Sequence, residues 1–162
     1  AFEKAEGQLV GELPAVDVAN TVLTTAGDVE EGKNLFTRQS CNACHAIDPN
    51  EPQKGPFLGT VGNLFTREQL ITHVIDPAAE VAQGFQTFTF TMNDGSVALG
   101  FVTERDEKTI KLSNIAGIAQ VIQKSDVAEE KHIEGSMMPP GLVNGLTLRE
   151  LASLIDYLQT LH

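Results

Sequence analysis

Cys41 and Cys44 stand three residues apart, and His45 follows the second directly, in the run Cys41-Asn42-Ala43-Cys44-His45. Two thiols on so short a tether can each add across one of two vinyl groups on the same edge of a porphyrin, giving two thioether bonds. The imidazole that follows is then held beneath the iron as an axial ligand. This spacing is the pattern of covalent haem c attachment. Other uses of the same residues fit less well. A zinc site usually takes four Cys or His ligands, but the chain has only two cysteines, and His73, His132 and His162 fall in no finger-like pair. A redox dithiol would sit in a βαβ neighbourhood, which the flanking pattern does not offer. A disulfide across so tight a loop would be a poor staple.

A second loop could supply the other axial ligand. Gly135-Ser136-Met137-Met138-Pro139-Pro140-Gly141 presents two thioethers beside two prolines that restrict the backbone. A thioether is a soft, neutral donor that suits low-spin haem iron and raises its potential. The plainer use of a methionine is to fill gaps in a core. Residues 48 to 63 are rich in Pro and Gly and predict an irregular loop. A carbonyl near Pro56 there could accept the Nδ1–H of His45 and fix its tautomer, a support that metal-bound histidines usually have; a plain surface loop is the alternative. His73 falls in a helical pattern beside apolar neighbours, which reads as a packed or surface residue rather than a ligand.

Helices must carry these loops. Asp28 with Glu31 has the form of a capping box, and Val29, Gly32, Leu35 and Phe36 recur at helical spacing, so a helix runs from Asp28 to about Ser40 and delivers the chain into the cysteine motif. Thr66 with Gln69 opens a second helix, whose apolar face is Leu70, Ile71, Val74 and Ile75 and which Asp76-Pro77 stops. Thr147 with Glu150 opens the last, striped by Leu148, Leu151, Leu154, Ile155, Leu158 and Leu161. Gly32 implies a close helix crossing, with Tyr157 placed to meet it. Between the second and last helices the period changes to two. Phe88, Phe90 and Met92, then Val97, Leu99 and Phe101, then Ile110 and Leu112, then 118 to 122 read as four strands of an antiparallel meander. Asn93-Asp94-Gly95 marks its first turn, and Phe88, Phe90, Leu99 and Phe101 are expected on its apolar side, against the haem loops. Residues 1 to 26 show no sustained period; Leu9, Val10, Leu13, Val16, Val18, Val22 and Leu23 could pack as an arm on the main body, and a linker is the alternative.

With 22 acidic against 11 basic side chains in 162 residues, the chain carries a net charge of −11. That balance argues against a nucleic-acid partner and for one with a basic face. No apolar run is long enough to span a bilayer. No secretory apolar region stands at the start, so the expectation is a processed export signal or a piece of a longer chain.

Three helices, the cysteine motif after the first and Met-Pro before the last together resemble class I cytochrome c over residues 28 to 83 and 133 to 162. In that family the first and last helices cross at a small residue and an aromatic, matched here by Gly32 and Tyr157. The resemblance implies thioethers at Cys41 and Cys44, a proximal ligand at His45 and a distal ligand at Met138, the methionine followed by proline, with Met137 the competitor. The expected fold is mainly α, a class I helical body with an inserted antiparallel β-meander (α+β overall). Its divisions are an N-terminal arm or linker at 1–27 and a cytochrome domain at 28–162 with the insertion at 84–132. Such an insertion is similar to the planctomycete-type haem-binding domain, whose members often sit at the C-terminal end of larger proteins bearing a propeller-like dehydrogenase. The function so implied is single-electron transfer by one covalently bound haem c, in a periplasmic or otherwise exported protein that is not itself an enzyme. Its partner would be a separate redox protein or a tethered dehydrogenase. A haem gas sensor or peroxidase-like protein with a labile sixth ligand is the alternative.

Overall fold

Apolar stripes at helical spacing build the first of two cores. The fold comes from a computed structural model that describes residues 7–82, 84–114 and 116–162. The helices among them are α1 (Ala15–Thr24), α2 (Val29–Arg38), α3 (Val61–Leu64), α4 (Arg67–Ile75) and α5 (Leu148–Gln159). Leu148, Leu151, Leu154, Ile155 and Leu158 of α5 are all buried and meet Leu35 and Phe36 of α2 and Leu70 and Ile71 of α4 in one cluster. The boxes at Thr66 and Thr147 form in both directions. At α2 the cap runs one way, with Asp28 accepting the Glu31 N–H at 2.8 Å. The Glu31 carboxylate lies instead toward Arg38, 3.8 Å away. Helix α3 adds one short turn at the end of the Pro- and Gly-rich stretch that reads as wholly irregular.

Gly32 brings α2 against α5. A Cβ there would lie 2.6 Å from the Ser153 carbonyl carbon and 2.7 Å from Tyr157 Cβ, and closer still to Ser153 O. Phe36 and Tyr157 meet edge to face beside the crossing, with ring centres 5.8 Å apart. The Ser153 hydroxyl accepts the Asp28 N–H at 2.9 Å.

The N-terminal segment packs on the main body as an arm and is not a loose linker; residues 1–6 of it lie outside the described residues. Helix α1 places Val18 and Val22 in the main core, and Val10 joins them. Leu9 bridges Thr147 as a short antiparallel pair, and the Leu148 N–H donates to Gln8 O at 3.0 Å. The stripe is blurred in the sequence because Val16 and Leu23 add apolar residues on the exposed face. The C-terminal end of α1 is satisfied from a distance. Arg67 donates to the carbonyls of Val22 at 3.0 Å, Leu23 at 3.2 Å and Thr25 at 2.7 Å. The same guanidinium pairs with Asp156 and reaches Gln159 Oε1 at 2.8 Å, which ties α1, α4 and α5 together.

The second core belongs to a sheet of β1 (Thr87–Met92), β2 (Val97–Arg105), β3 (Thr109–Ser113), β4 (Ala119–Gln123) and β5 (Val127–Ile133), in the order β4-β3-β2-β1-β5. The first four strands are the expected meander. The fifth returns to pair antiparallel with β1, and its run of Glu129, Glu130, Lys131 and His132 hides it from a hydrophobic reading. Only Lys124–Asp126 joins β4 to β5, on opposite edges of the sheet. In a flat sheet those edges would stand about 19 Å apart, beyond the roughly 14 Å such a link can span. The sheet therefore curls, with β2 bent at the irregularity between Val102 and Glu104.

Curling lets the sheet fill its own inner face. Phe90, Ala98, Ile110, Leu112 and Ile122 are buried there, with Phe88, Met92, Val102 and Val127 beside them. Two expectations are corrected. Phe88 pairs with Gly100 and Phe90 with Ala98, so the small residues of β2 face inward and leave room for the two rings. Leu99 and Phe101 point to the outer face, where Leu99 is 48% exposed. The inner apolar face is covered by the sheet itself and not by the loops near Cys41 and Met138. The chain is thus α+β, a helical body plus an antiparallel sheet with its own core.

Candidate haem site

Helix α2 hands the chain to Ser40, which takes a left-handed conformation with φ of 61° and reverses its direction. One 3₁₀ turn, Cys41–Ala43, follows. The N–H groups of Cys44 and His45 both return to Cys41 O, at 3.2 and 2.9 Å. Both thiols are free. Cys41 packs against the main core, and that burial raises its pKa, opposed by its own backbone hydrogen bond. Cys44 is exposed.

The His45 ring is fixed from behind. Its Nδ1 lies 2.8 Å from Pro56 O. The carbonyl can only accept, so Nδ1 carries the proton and Nε2 is left with a free lone pair. Burial lowers the His45 pKa, and the Pro56 carbonyl works against that shift. Gly55 lets the loop close on this ring, since a Cβ there would stand 3.1 Å from Cys44 O and 3.7 Å from His45 Cε1. A small crevice beside the motif is lined by Ala43, Cys44, His45, Pro52 and Lys54 among others. Lys54 also touches the sheet, because a Cβ on Gly117 of the β3–β4 turn would lie 2.9 Å from its Cγ.

Cys41, Cys44, His45 and Pro56 thus come together in one place. Met137 and Met138 sit on a separate loop between Gly135 and Gly141, both glycines at positive φ, and are not among the residues lining the crevice. Both are half-buried, and the Met138 N–H donates to Ser136 Oγ at 3.1 Å. The other histidines have local partners: His73 stacks edge-on against Phe65 at 4.7 Å, His132 lies 5.1 Å from the Phe88 ring, and His162 bonds Asn63 at 2.8 Å. Among the described residues, no group of three or more His, Cys, Asp or Glu side chains is arranged to hold a metal ion.

The residues present fit a haem c. Two free thiols stand three positions apart, and the adjoining imidazole has one nitrogen bound to the protein and the other available as a donor. Lys54 escaped the sequence reading of the site, because only a carbonyl near Pro56 was singled out in its Pro- and Gly-rich loop.

The family model for Cytochrome c matches residues 29–162. No curated protein matches the chain.

Proposed function

The chain belongs to the cytochrome c family of haem c electron-transfer proteins, and from that premise we propose that it holds one haem through thioethers at Cys41 and Cys44, with His45 and Met138 as the axial ligands. The observation that carries this reading is the His45 Nδ1 to Pro56 O hydrogen bond at 2.8 Å, which leaves Nε2 as the donor beside two free thiols. When bound, the haem supplies the one-electron chemistry. The chain's residues do the rest. Cys41 and Cys44 tether, Pro56 orients the His45 ring, and the restricted Met137-Met138-Pro139-Pro140 loop presents a sulfur. Met138 is preferred to Met137 because Pro139 follows it.

Two protein ligands leave no position for a substrate, so this chain passes electrons and is not itself an enzyme. Its partner is a redox protein or tethered dehydrogenase domain with a basic docking face, complementary to a chain of net charge −11. Covalent haem attachment takes place outside the cytoplasm, which supports a periplasmic or otherwise exported location. Among the described residues no helix is long and apolar enough to cross a membrane.

Expression with haem-maturation factors tests the reading. The protein should stain for haem after denaturing electrophoresis, with one iron per chain. The oxidised form should show a weak long-wavelength sulfur-to-iron band that Met138→Ala abolishes and Met137→Ala keeps. Haem that extracts into acidified butanone would refute the attachment. Carbon monoxide binding readily to the reduced protein would favour a labile sixth ligand and a sensor or peroxidase-like role.

A further inference from the structure

The segment ahead of α1 is built onto the chain that follows the methionine loop. Residues 8 to 11 run antiparallel to residues 144 to 148. The Leu148 N–H donates to Gln8 O at 3.0 Å, the Val10 N–H to Leu146 O at 2.8 Å and the Gly11 N–H to Asn144 O at 3.0 Å. Leu9 pairs with Thr147 between them. Val10 from one side of this clasp and Val143 and Leu146 from the other are seated in the main core. Asn144 links the clasp to the loop. On one side, a Cβ at Gly11 would stand 2.9 Å from Asn144 Cβ and 3.1 Å from Asn144 O. On the other, the Asn144 N–H donates to Gly141 O at 3.1 Å, and Asn144 Nδ2 lies 3.0 Å from where a Gly141 Cβ would be. Gly141 ends the loop at a φ of 81°, and only Pro139 and Pro140 separate it from Met138.

A proline ring fixes its own φ and restricts the residue before it. The link from Gly141 back to Met138 therefore has few soft torsions, and a displacement of Gly141 is carried to the thioether and not absorbed on the way. We propose that Gly11 is a positioning residue for Met138: by letting the clasp close on Asn144, it holds the methionine loop where its sulfur can serve the iron. This rests on the haem c reading above, with Met138 as a ligand. A glycine is needed because the space that a side chain would take holds the backbone oxygen and Cβ of Asn144, not the tip of a flexible side chain. A larger residue pushes Asn144, and the push leads through Gly141 to the loop. The clasp lies before residue 29, where the family match begins, so this hold on the loop is an addition to the matched part of the chain. The loop with its sulfur on the iron and the loop without it are two states, and weakening the clasp shifts the population toward the second.

The test is imidazole binding to the oxidised holoprotein, since imidazole can take only a position that Met138 has left. Its apparent affinity is set by the fraction of protein with that position open. In Gly11→Ala the affinity should rise about tenfold, equivalent to about 1.4 kcal/mol lost from the closed loop, and the sulfur-to-iron band should weaken. Gly11→Pro also removes the N–H donated to Asn144 O, so its affinity should rise further. Adding Asn144→Gly to Gly11→Ala takes away the nearest obstacle and should bring the affinity back toward wild type, although a new glycine in a loop loosens the chain in general. Amide exchange at Val10 and Leu148 reads the opening of the clasp directly and should quicken in Gly11→Pro. An imidazole affinity and band unchanged in either single variant, with haem attached, would overturn this inference and leave the haem reading standing. Failure of Asn144→Gly to recover any of the change would assign the effect to general loosening and also overturn it. A wild-type protein without covalent haem, or without a sulfur-to-iron band, would overturn the reading on which it rests as well.

Discussion

Gly32→Ala tests whether the crossing of α2 and α5 sets the geometry of the site. Helix α2 leads directly into Cys41, and α5 follows the methionine loop, so the cysteine and methionine loops are spaced by that crossing. A methyl group at residue 32 would sit 2.6 to 2.7 Å from Ser153 C and Tyr157 Cβ, and closer to Ser153 O. Ordinary contact needs about 3.5 Å or more, so the helices must part by roughly 1 Å. Such a gap forfeits a quarter to a half of each packing contact it opens, and overpacking of this kind costs about 1–3 kcal/mol. Against this, alanine gains about 1 kcal/mol of helix propensity over glycine. Because the obstacle is backbone on α5 and not the tip of a flexible side chain, the upper end of the cost applies, and the net loss is about 2 kcal/mol.

Urea unfolding followed by far-ultraviolet circular dichroism measures this. With a slope of about 2 kcal/mol per molar, the midpoint should fall by about 1 M. Gly145→Ala is the control. Nothing lies within 4 Å of a Cβ there, so its midpoint should hold or rise slightly through a stiffer unfolded chain. The sulfur-to-iron band should weaken in Gly32→Ala and stay unchanged in the control. A Gly32→Ala midpoint equal to that of Gly145→Ala would refute the argument that backbone contact at this crossing limits residue 32.

Arg67→Ala removes the donors for the end of α1 and leaves Asp156 without its cation; for this partly buried pair the loss should be about 3 kcal/mol. Hydrogen exchange should then show α1 opening while the β1–β5 ladder stays protected, and equal loss of protection in both would contradict the separation of the two cores. Asp106 is held at about 2, below its ordinary 3.8, first by the Thr109 hydroxyl and then by the N–H groups of Lys108 and Thr109. Its folded pKa is depressed, so the contribution is complete above 3.8 and is lost as pH falls through about 2. Nuclear magnetic resonance titration should place the midpoint of the β2–β3 turn near 2 and find no such transition in Asp106→Asn; a midpoint near 3.8 in the wild type would count against these bonds.

The parts of this chain legible in the sequence are those whose causes are local. The Thr66 and Thr147 boxes, the crossing at Gly32 and Tyr157, and the carbonyl behind His45 each follow from residues close in sequence or from a size requirement at one position. Helix α1 did not announce itself, because its end is capped by Arg67, 42 residues beyond Thr25. Strand β5 was hidden because its partner β1 supplies the aromatic side of the pair, while β5 itself is charged. The wrong face was expected for β2 because either set of alternate residues is apolar. Only the pairing of Phe90 with Ala98 decides between them, and register is a tertiary fact.

The limits of the family match and the limits of packing disagree in opposite directions. Val10, Val18 and Val22 precede residue 29, where the match begins, yet they lie in the main core with α2, α4 and α5. Residues 87 to 133 fall inside the match, yet among the described residues of that stretch none belongs to that core. The sheet can be carried this way because it closes on itself. Thr87 opens β1 and pairs directly with Ile133, which ends β5, so the chain leaves and re-enters the helical body at neighbouring points about 5 Å apart. An insertion with adjacent ends does not move the methionine loop away from the helices that hold it. Beside the cysteine motif the sheet meets the site at the Gly117 turn against Lys54. The N-terminal helix reaches the site by the opposite route, through Arg67 and Asp156 into α5 and so to the crossing that spaces the cysteine and methionine loops. Changes in the sheet should therefore tune a haem already held, whereas changes in α1 should loosen the frame that holds it.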